Sequence, residues 1–384
     1  MKYTLKEIAT ISAGQGAPQG DNNYSESGIP FVKAGNLLEL IEGASINDIQ
    51  KVSDDVAKKH RLKLYPKGTI LFAKSGMSCL KGYVYILPCD SYVVSHLACV
   101  TPHENISQYL KYYFDYNKPN KLIKDAAYPS ISLSDIGELI VDIKDCESRK
   151  NIVSALSEIE MIIFARKQQL AKLDELVKAR FVEMFGTIHD NKFGYEIKTL
   201  QDVCEQIKDG THQTPIYTDD NVNGYKFLSS KDVTTGKIDW THLKYIPEEL
   251  HNELYARIAP KKGDILLAKN GTTGIAAIVD RDEVFDIYVS LALLRPIEIS
   301  SVYLWAAINS VETKQQFDSS LKGIGVPNLH LGEIKKAKII IPPVECQNQF
   351  AAFVEQVDKS KLAVQKALDE AQTLFDSLMQ QYFG

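Results

Sequence analysis

The chain has 384 residues, a net charge of −5, 45% hydrophobic and 24% charged residues, which excludes a disordered or fibrous chain and leaves room for two or three globular domains. Its apolar runs stop short of the ~18–20 residues of a membrane span, and Met1-Lys-Tyr-Thr-Leu-Lys is no secretion signal, so a cytoplasmic protein without a membrane is expected. No segment is strongly basic; if DNA is the ligand, positive charge must be gathered on one face or supplied by partners.

Residues 1–145 read as a strand-rich module with long loops. Gly14-Gln-Gly16-Ala-Pro-Gln-Gly20 is taken as a loop, because its spacing does not fit a nucleotide fingerprint and Pro18 would spoil the helix start that binds phosphate. Turn clusters at Asp21-Asn-Asn23 and Pro66-Lys-Gly68 bound β-rich runs at 69–73 and 82–87, and a helix is expected near 106–117. A long helix then fills 146–186. Its apolar residues Ile152, Leu156, Ile159, Ile163, Leu170, Leu173, Val177 and Met184 follow alternating steps of four and three, the spacing of a coiled-coil seam, with Arg166 and Arg180 interrupting.

Residues 187–342 form a second strand-rich module, with a turn cluster at 219–224, a helix near 300–318 and a strand at 338–341. Pro342-Pro343 ends that strand and opens a second long helix over 343–384. Its seam is Phe350, Val354, Val357, Lys361, Val364, Leu368, Ala371, Phe375, Leu378 and Tyr382. Each helix is expected to run about 33 residues or more, roughly 50 Å at 1.5 Å per residue. The two stripes share one register and are expected to bury each other.

The halves repeat. Gly68-Thr-Ile-Leu-Phe-Ala-Lys-Ser-Gly76 returns 195 residues later as Gly263-Asp-Ile-Leu-Leu-Ala-Lys-Asn-Gly271, and Val94-Ser95 returns as Val289-Ser290 at the same offset. Phe185-Gly186 returns as Phe383-Gly384 after 198. Such a period is a whole domain plus a helix, far longer than the ~20–50 residues of a solenoid unit.

Catalytic signatures are missing. The chain has no G-x-x-x-x-G-K-[ST] phosphate loop, and Ile341-Pro-Pro-Val344 is not the N/D-P-P-Y/F tetrapeptide of an amino-methyltransferase. Its histidines are scattered, and its six cysteines lie far apart without C-x-x-C, so buried thiols are expected rather than zinc or disulfides. No catalytic residue and no metal ligand is assigned: the chain is expected to recognise something rather than transform it.

Leu173-Asp-Glu-Leu-Val-Lys-Ala-Arg-Phe-Val-Glu-Met-Phe-Gly186 resembles the central region of type I restriction–modification specificity subunits. Lys208-Asp-Gly-Thr-His-Gln-Thr-Pro215 and the runs Ile70–Gly76 and Ile265–Gly271 resemble that family's target recognition domains. The resemblance covers essentially the whole chain, in the order domain, helix, domain, helix. It implies a mixed α/β (α+β) fold: two strand-rich target recognition domains, 1–145 and 187–342, separated by helical spacers, 146–186 and 343–384, that pair as an antiparallel coiled coil in a pseudo-twofold repeat. It further implies a non-catalytic phage-defence subunit that reads double-stranded DNA, one domain per half of an asymmetric bipartite site. Two methyltransferase (modification) subunits would dock on the helices, and restriction/translocase subunits would complete the complex. The chain itself would need no cofactor; S-adenosylmethionine, ATP and Mg2+ would belong to the partner subunits. The alternatives are the recognition part of another methylase/nuclease arrangement and a protein scaffold that binds no DNA.

Base reading needs polar side chains on loops. In the first module the candidates are Lys33, Asn36, Lys74, Ser75, Ser78, Lys81, Tyr128 and Ser130. In the second they are Thr211, His212, Gln213, Thr214, Ser230, Lys231, Lys269, Asn270, Thr272, Thr273, Asn328 and His330. Lys74 and Lys269 are either solvated residues at strand ends or, as contacts, hold phosphate rather than specify bases. Gly76 and Gly271 are expected to make turns, and His96, in an apolar stretch, to lie in the core.

Overall fold

A computed structural model describes residues 1–219, 221–321 and 327–384; Asp220, within the turn expected at 219–224, lies outside them. The first nine strands are β1 (Lys2–Thr4), β2 (Ala9–Ala13), β3 (Ile29–Val32), β4 (Lys51–Val52), β5 (Ile70–Ala73), β6 (Val84–Ile86), β7 (Tyr92–Val93), β8 (Leu97–Pro102) and β9 (Ile140–Asp142). Among the described residues the later strands are β10 (Glu196–Thr199), β11 (Cys204–Asp209), β12 (Tyr225–Leu228), β13 (Lys244–Ile246), β14 (Ile265–Ala268), β15 (Ala276–Ile278), β16 (Phe285–Ile287), β17 (Leu291–Pro296) and β18 (Lys338–Ile341). The chain divides into two units, residues 1–166 with 367–384, and residues 167–366.

The first unit holds three sheets, β2-β8-β5-β6, β4-β3-β7 and β1-β9. The second holds β11-β17-β14-β15, β13-β12-β16 and β10-β18, the same order strand for strand. β5 and β14 are buried at every residue, which is why both read as unbroken apolar runs and not as an alternation. Phe72 faces Ala98 across β5 and β8, and Leu267 faces Ala292 across β14 and β17. The repeat therefore runs at 195 on one strand and 194 on its neighbour. The sequence echo of Val94-Ser95 in Val289-Ser290 is out of structural register by one: Val94 bridges Gln15, whereas Tyr288 bridges Thr211.

The copies differ inside this shared frame. Where Thr69 and Thr101 share a hydroxyl hydrogen bond of 3.1 Å in the first unit, Arg295 grips Asp264 in the second through Nε (2.9 Å) and Nη2 (2.8 Å). A single helix, Ser107–Tyr116, stands near the expected place. Its counterpart is two helices, Ser301–Ile308 and Val311–Ser320, rather than one over 300–318. Asn309 makes the break by pairing with the Ala276 backbone, accepting from its N–H and donating to its carbonyl at 3.0 Å each. Ser310 then caps the next helix through Thr313 N–H.

The long helices are Cys146–Phe185 and Val344–Phe383, 40 residues each, so about 60 Å, within the roughly 33 residues or more expected. In the first unit the start of the first helix meets the end of the second: Ile152, Leu156 and Met379 share a buried cluster with Phe375 and Leu378 against it. In the second unit Phe181 and Phe185 lie 5.6 and 5.5 Å from Phe350, and Lys361 Nζ donates to Asp174 at 2.5 Å, an antiparallel register. Ile159, Val177, Val354, Val357, Val364 and Leu368 are buried, while Ile163, Leu170 and Leu173 are half-buried. Met379, outside the expected seam, is buried where Leu378 is half-buried. Arg180 does not open the seam, since it pairs with Glu183 at 2.7 Å and covers the Phe353 ring.

The repeated Phe-Gly has a packing role. Phe185 sits edge-on to Tyr303 at 4.8 Å, and Phe383 edge-on to Tyr109 at 5.2 Å. Each tyrosine donates to a strand carbonyl, Tyr303 to Ile340 (2.5 Å) and Tyr109 to Asp142 (2.8 Å). The aromatic contact thus pins the last turn of each long helix to a domain, with Phe185, Tyr303 and Tyr109 buried and Phe383 half-buried. Of the thiols expected to be buried, Cys79, Cys99 and Cys204 are, but Cys146 is exposed.

Candidate nucleic-acid interface

In each unit the turn after the central strand is tied to a second loop. In the first, Ser75 bridges Ser130, Gly76 N–H donates to Pro129 O at 3.0 Å, and Ile131 N–H donates to Lys74 O at 2.8 Å. In the second, Asn270 bridges Asn328, Gly271 N–H donates to Pro327 O at 3.3 Å, and Leu329 N–H donates to Lys269 O at 2.8 Å. Gly76 and Gly271 have φ of 79° and 75°, a left-handed turn that a side chain would strain. The sequence had singled out all four bridging residues without pairing them, because they lie 55 or more positions apart.

Around the first turn Tyr128, Ser130 and Lys81 are exposed, and Lys74, Ser75 and Ser78 are half-buried. His96 corrects the expectation of a core residue: it is exposed, and its Nδ1 lies 2.8 Å from Ser75 Oγ. Its apolar neighbours belong to β8, which begins one residue later. Lys33 and Asn36 are committed locally. Lys33 N–H donates to Asn36 Oδ1 at 2.9 Å, and Lys33 Nζ donates to Gln50 at 2.6 Å and lies over the Tyr24 ring. The same cap recurs as Ser229 N–H to Asp232 at 2.6 Å, so its second copy uses Asp232 rather than Ser230 or Lys231.

In the second unit Asp209, His212, Lys269, Asn270, Asn328 and His330 line a cavity of about 440 Å³. Lys269 is not the solvated cation expected of it. It is 5% exposed, and its Nζ lies 2.8 Å from Asp209 Oδ2, which His212 Nε2 also approaches at 3.2 Å. Burial alone would raise the Asp209 pKa, but the hydrogen bond and charge of Lys269, with His212, hold it below the ordinary value. Thr211 is buried, with Oγ1 accepting from Gln213 N–H at 3.2 Å. His212, Gln213, Thr214, Lys231, Thr272, Asn328 and His330 are exposed, whereas Thr273, Asn270 and Ser230 are half-buried. Ser230 N–H donates to Ser290, whose carbonyl receives Lys269 N–H, so that loop joins the same turn. Asp209 went unnoticed in the sequence, where nothing local marks a carboxylate that meets a lysine 60 residues away.

Elsewhere in the second unit His251 Nδ1 lies 2.7 Å from Asp286 Oδ2, both buried, under a stacked Tyr225 ring. Burial, against the pull of His251, pushes the Asp286 carboxyl from 3.8 up to about 6. Between those limits the folded unit holds a proton that the unfolded chain has released, so this group's contribution to stability falls as pH rises through that window. The urea stability of wild type relative to Asp286→Asn is accordingly expected to decline between about pH 4 and 6; a difference flat with pH would show that Asp286 titrates as an ordinary carboxylate.

The chain matches the type I restriction modification DNA specificity domain over residues 1–175 and 193–371. It is 24% identical over 270 residues to the MjaVIII specificity subunit of Methanocaldococcus jannaschii, covering 64% of this chain and 63% of that protein. It is 27% identical over 164 residues to the EcoBI specificity subunit of Escherichia coli, covering 42% of this chain and 34% of that one. It thus spans less than two thirds of the curated relatives it matches. In fold it is similar to the type I S subunit from M. genitalium, with a TM-score of 0.57, 14% identity and coverage of 100% and 96% of the two chains. A chain from a type I R-M complex also gives 0.57, with 16% identity and coverage of 100% and 97%. Among the described residues no helix is long and apolar enough to cross a membrane. With both copies of its module matched, the chain belongs to the family of type I restriction modification DNA specificity domains.

Proposed function

We propose that this chain is the non-catalytic DNA sequence-specificity subunit of a type I restriction–modification complex, acting in the cytoplasm. Residues 1–145 read one half of a bipartite site and residues 187–342 the other. The observation that carries this reading is one three-sheet module built twice with different side chains at matching loop positions. Unequal readers demand unequal half-sites. The paired helices fix the unread spacer, and they dock two methyltransferase subunits and, through these, restriction subunits. S-adenosylmethionine, ATP and Mg2+ act on those partners. The candidate loop residues supply the contacts, with Lys33, Asn36 and Lys269 serving mainly to shape the loops.

Domain exchange tests this. Replacing residues 187–342 by the corresponding domain of another family member is expected to change one half of the methylated sequence and leave the other intact. A change in both halves would rule out independent readers.

A further inference from the structure

The repeat allows one position to be compared between the readers. β2 pairs Ala13 with Ala98, and β11 pairs Asp209 with Ala292; Ala13 therefore stands in the first unit where Asp209 stands in the second. The lysines correspond too, with Lys74 N–H donating to His96 O and Lys269 N–H to Ser290 O. Among the described residues Lys74 has no ion-pair partner, whereas Lys269 is committed to Asp209.

That ion pair has a chemical consequence. An unpaired carboxylate facing DNA would repel phosphate, but Lys269 cancels the charge of Asp209 and fixes its orientation. Both side-chain partners of Asp209, Lys269 and His212, bind Oδ2. Oδ1 has no side-chain partner among the described residues, and Asp209 lines the cavity. The second unit therefore presents a fixed acceptor with little net charge. In the major groove the base-edge donors are the amino groups of cytosine and adenine. Adenine is matched by amide side chains that both donate and accept, while a carboxylate accepts from cytosine N4.

We propose that Asp209 is a specificity-determining residue of the second unit, accepting a hydrogen bond from the N4 amino group of a cytosine in that half-site. Lys269 is its positioning residue. The half-site read by the first unit lacks this contact, because Ala13 offers no acceptor. The inference rests on the DNA-reading function proposed above.

The test uses the full chain with its methyltransferase, and duplexes carrying the motif found by methylome sequencing. Cytosines of the second half-site are replaced one at a time by 2-pyrimidinone, which lacks the N4 amino group. One replacement is expected to weaken binding by about tenfold or more, and the Asp209→Asn complex, whose amide oxygen must take the Lys269 hydrogen bond and so leaves an NH2 donor in the place of Oδ1, is expected to lose that discrimination alone. Should Asp209→Asn not fold by circular dichroism, Asp209→Glu keeps the carboxylate beside Lys269 but displaces the acceptor, and the same loss is expected. A second half-site without cytosine, replacements without effect, or discrimination that survives in the variant would overturn the proposal. A wild-type complex with no split motif would overturn the underlying function instead.

Discussion

Gly210→Ala is expected to destabilise the second unit by about 3 kcal/mol, at the severe end of overpacking. A Cβ there would overlap the Ile287 carbonyl and the Tyr288 backbone, where strand ends cross and no flexible side chain can move aside. The crossing is held by Thr211 N–H to Ile287 O at 3.1 Å and Val289 N–H to Thr211 O at 3.0 Å. Gly14 is its counterpart: a Cβ would overlap the Val93 and Val94 carbonyls, at a crossing held by Gln15 N–H to Val93 O at 2.8 Å. Hydrogen exchange should show β11 and β17 losing protection in Gly210→Ala while β2 and β8 keep theirs. Unchanged protection in β11 would mean that the crossing opens without cost.

Lys269→Ala and Lys74→Ala are expected to behave differently although the two lysines correspond. The first leaves the half-buried Asp209 carboxylate beside His212 alone, a loss of about 3 kcal/mol, read by urea unfolding. The second removes no ion pair and is expected to stay within about 0.5 kcal/mol of wild type. It should instead weaken DNA binding, with the shallower salt dependence of a lost phosphate contact. Equal stability losses in the two variants would contradict the different roles assigned to them.

Periodic features were legible in the sequence. The heptads located both long helices, and the apolar runs at 70–73 and 265–268 gave the central strands, because burial on both faces leaves no polar alternation to obscure them. Non-local chemistry was not legible. His96 reads as core from its neighbours, yet it falls just before the strand and turns outward to Ser75. The Lys269–Asp209 pair depends on strand order, and the helix break at Asn309 depends on the Ala276 edge beside it. The one-residue shift of the repeat between β14 and β17 is invisible to a matching of letters, since Val-Ser recurs at the wrong offset. For the candidate interface, the sequence supplied loops and residue types; the bridges Ser75–Ser130 and Asn270–Asn328 supply their arrangement.

One reader per half-site is tested most directly by single-molecule methylome sequencing of a host expressing this chain with its methyltransferase. The expected result is a split motif with two unequal halves, an unread spacer between them and N6-methyladenine in each half. A continuous motif, or one whose halves are identical, would contradict two unequal readers in one chain.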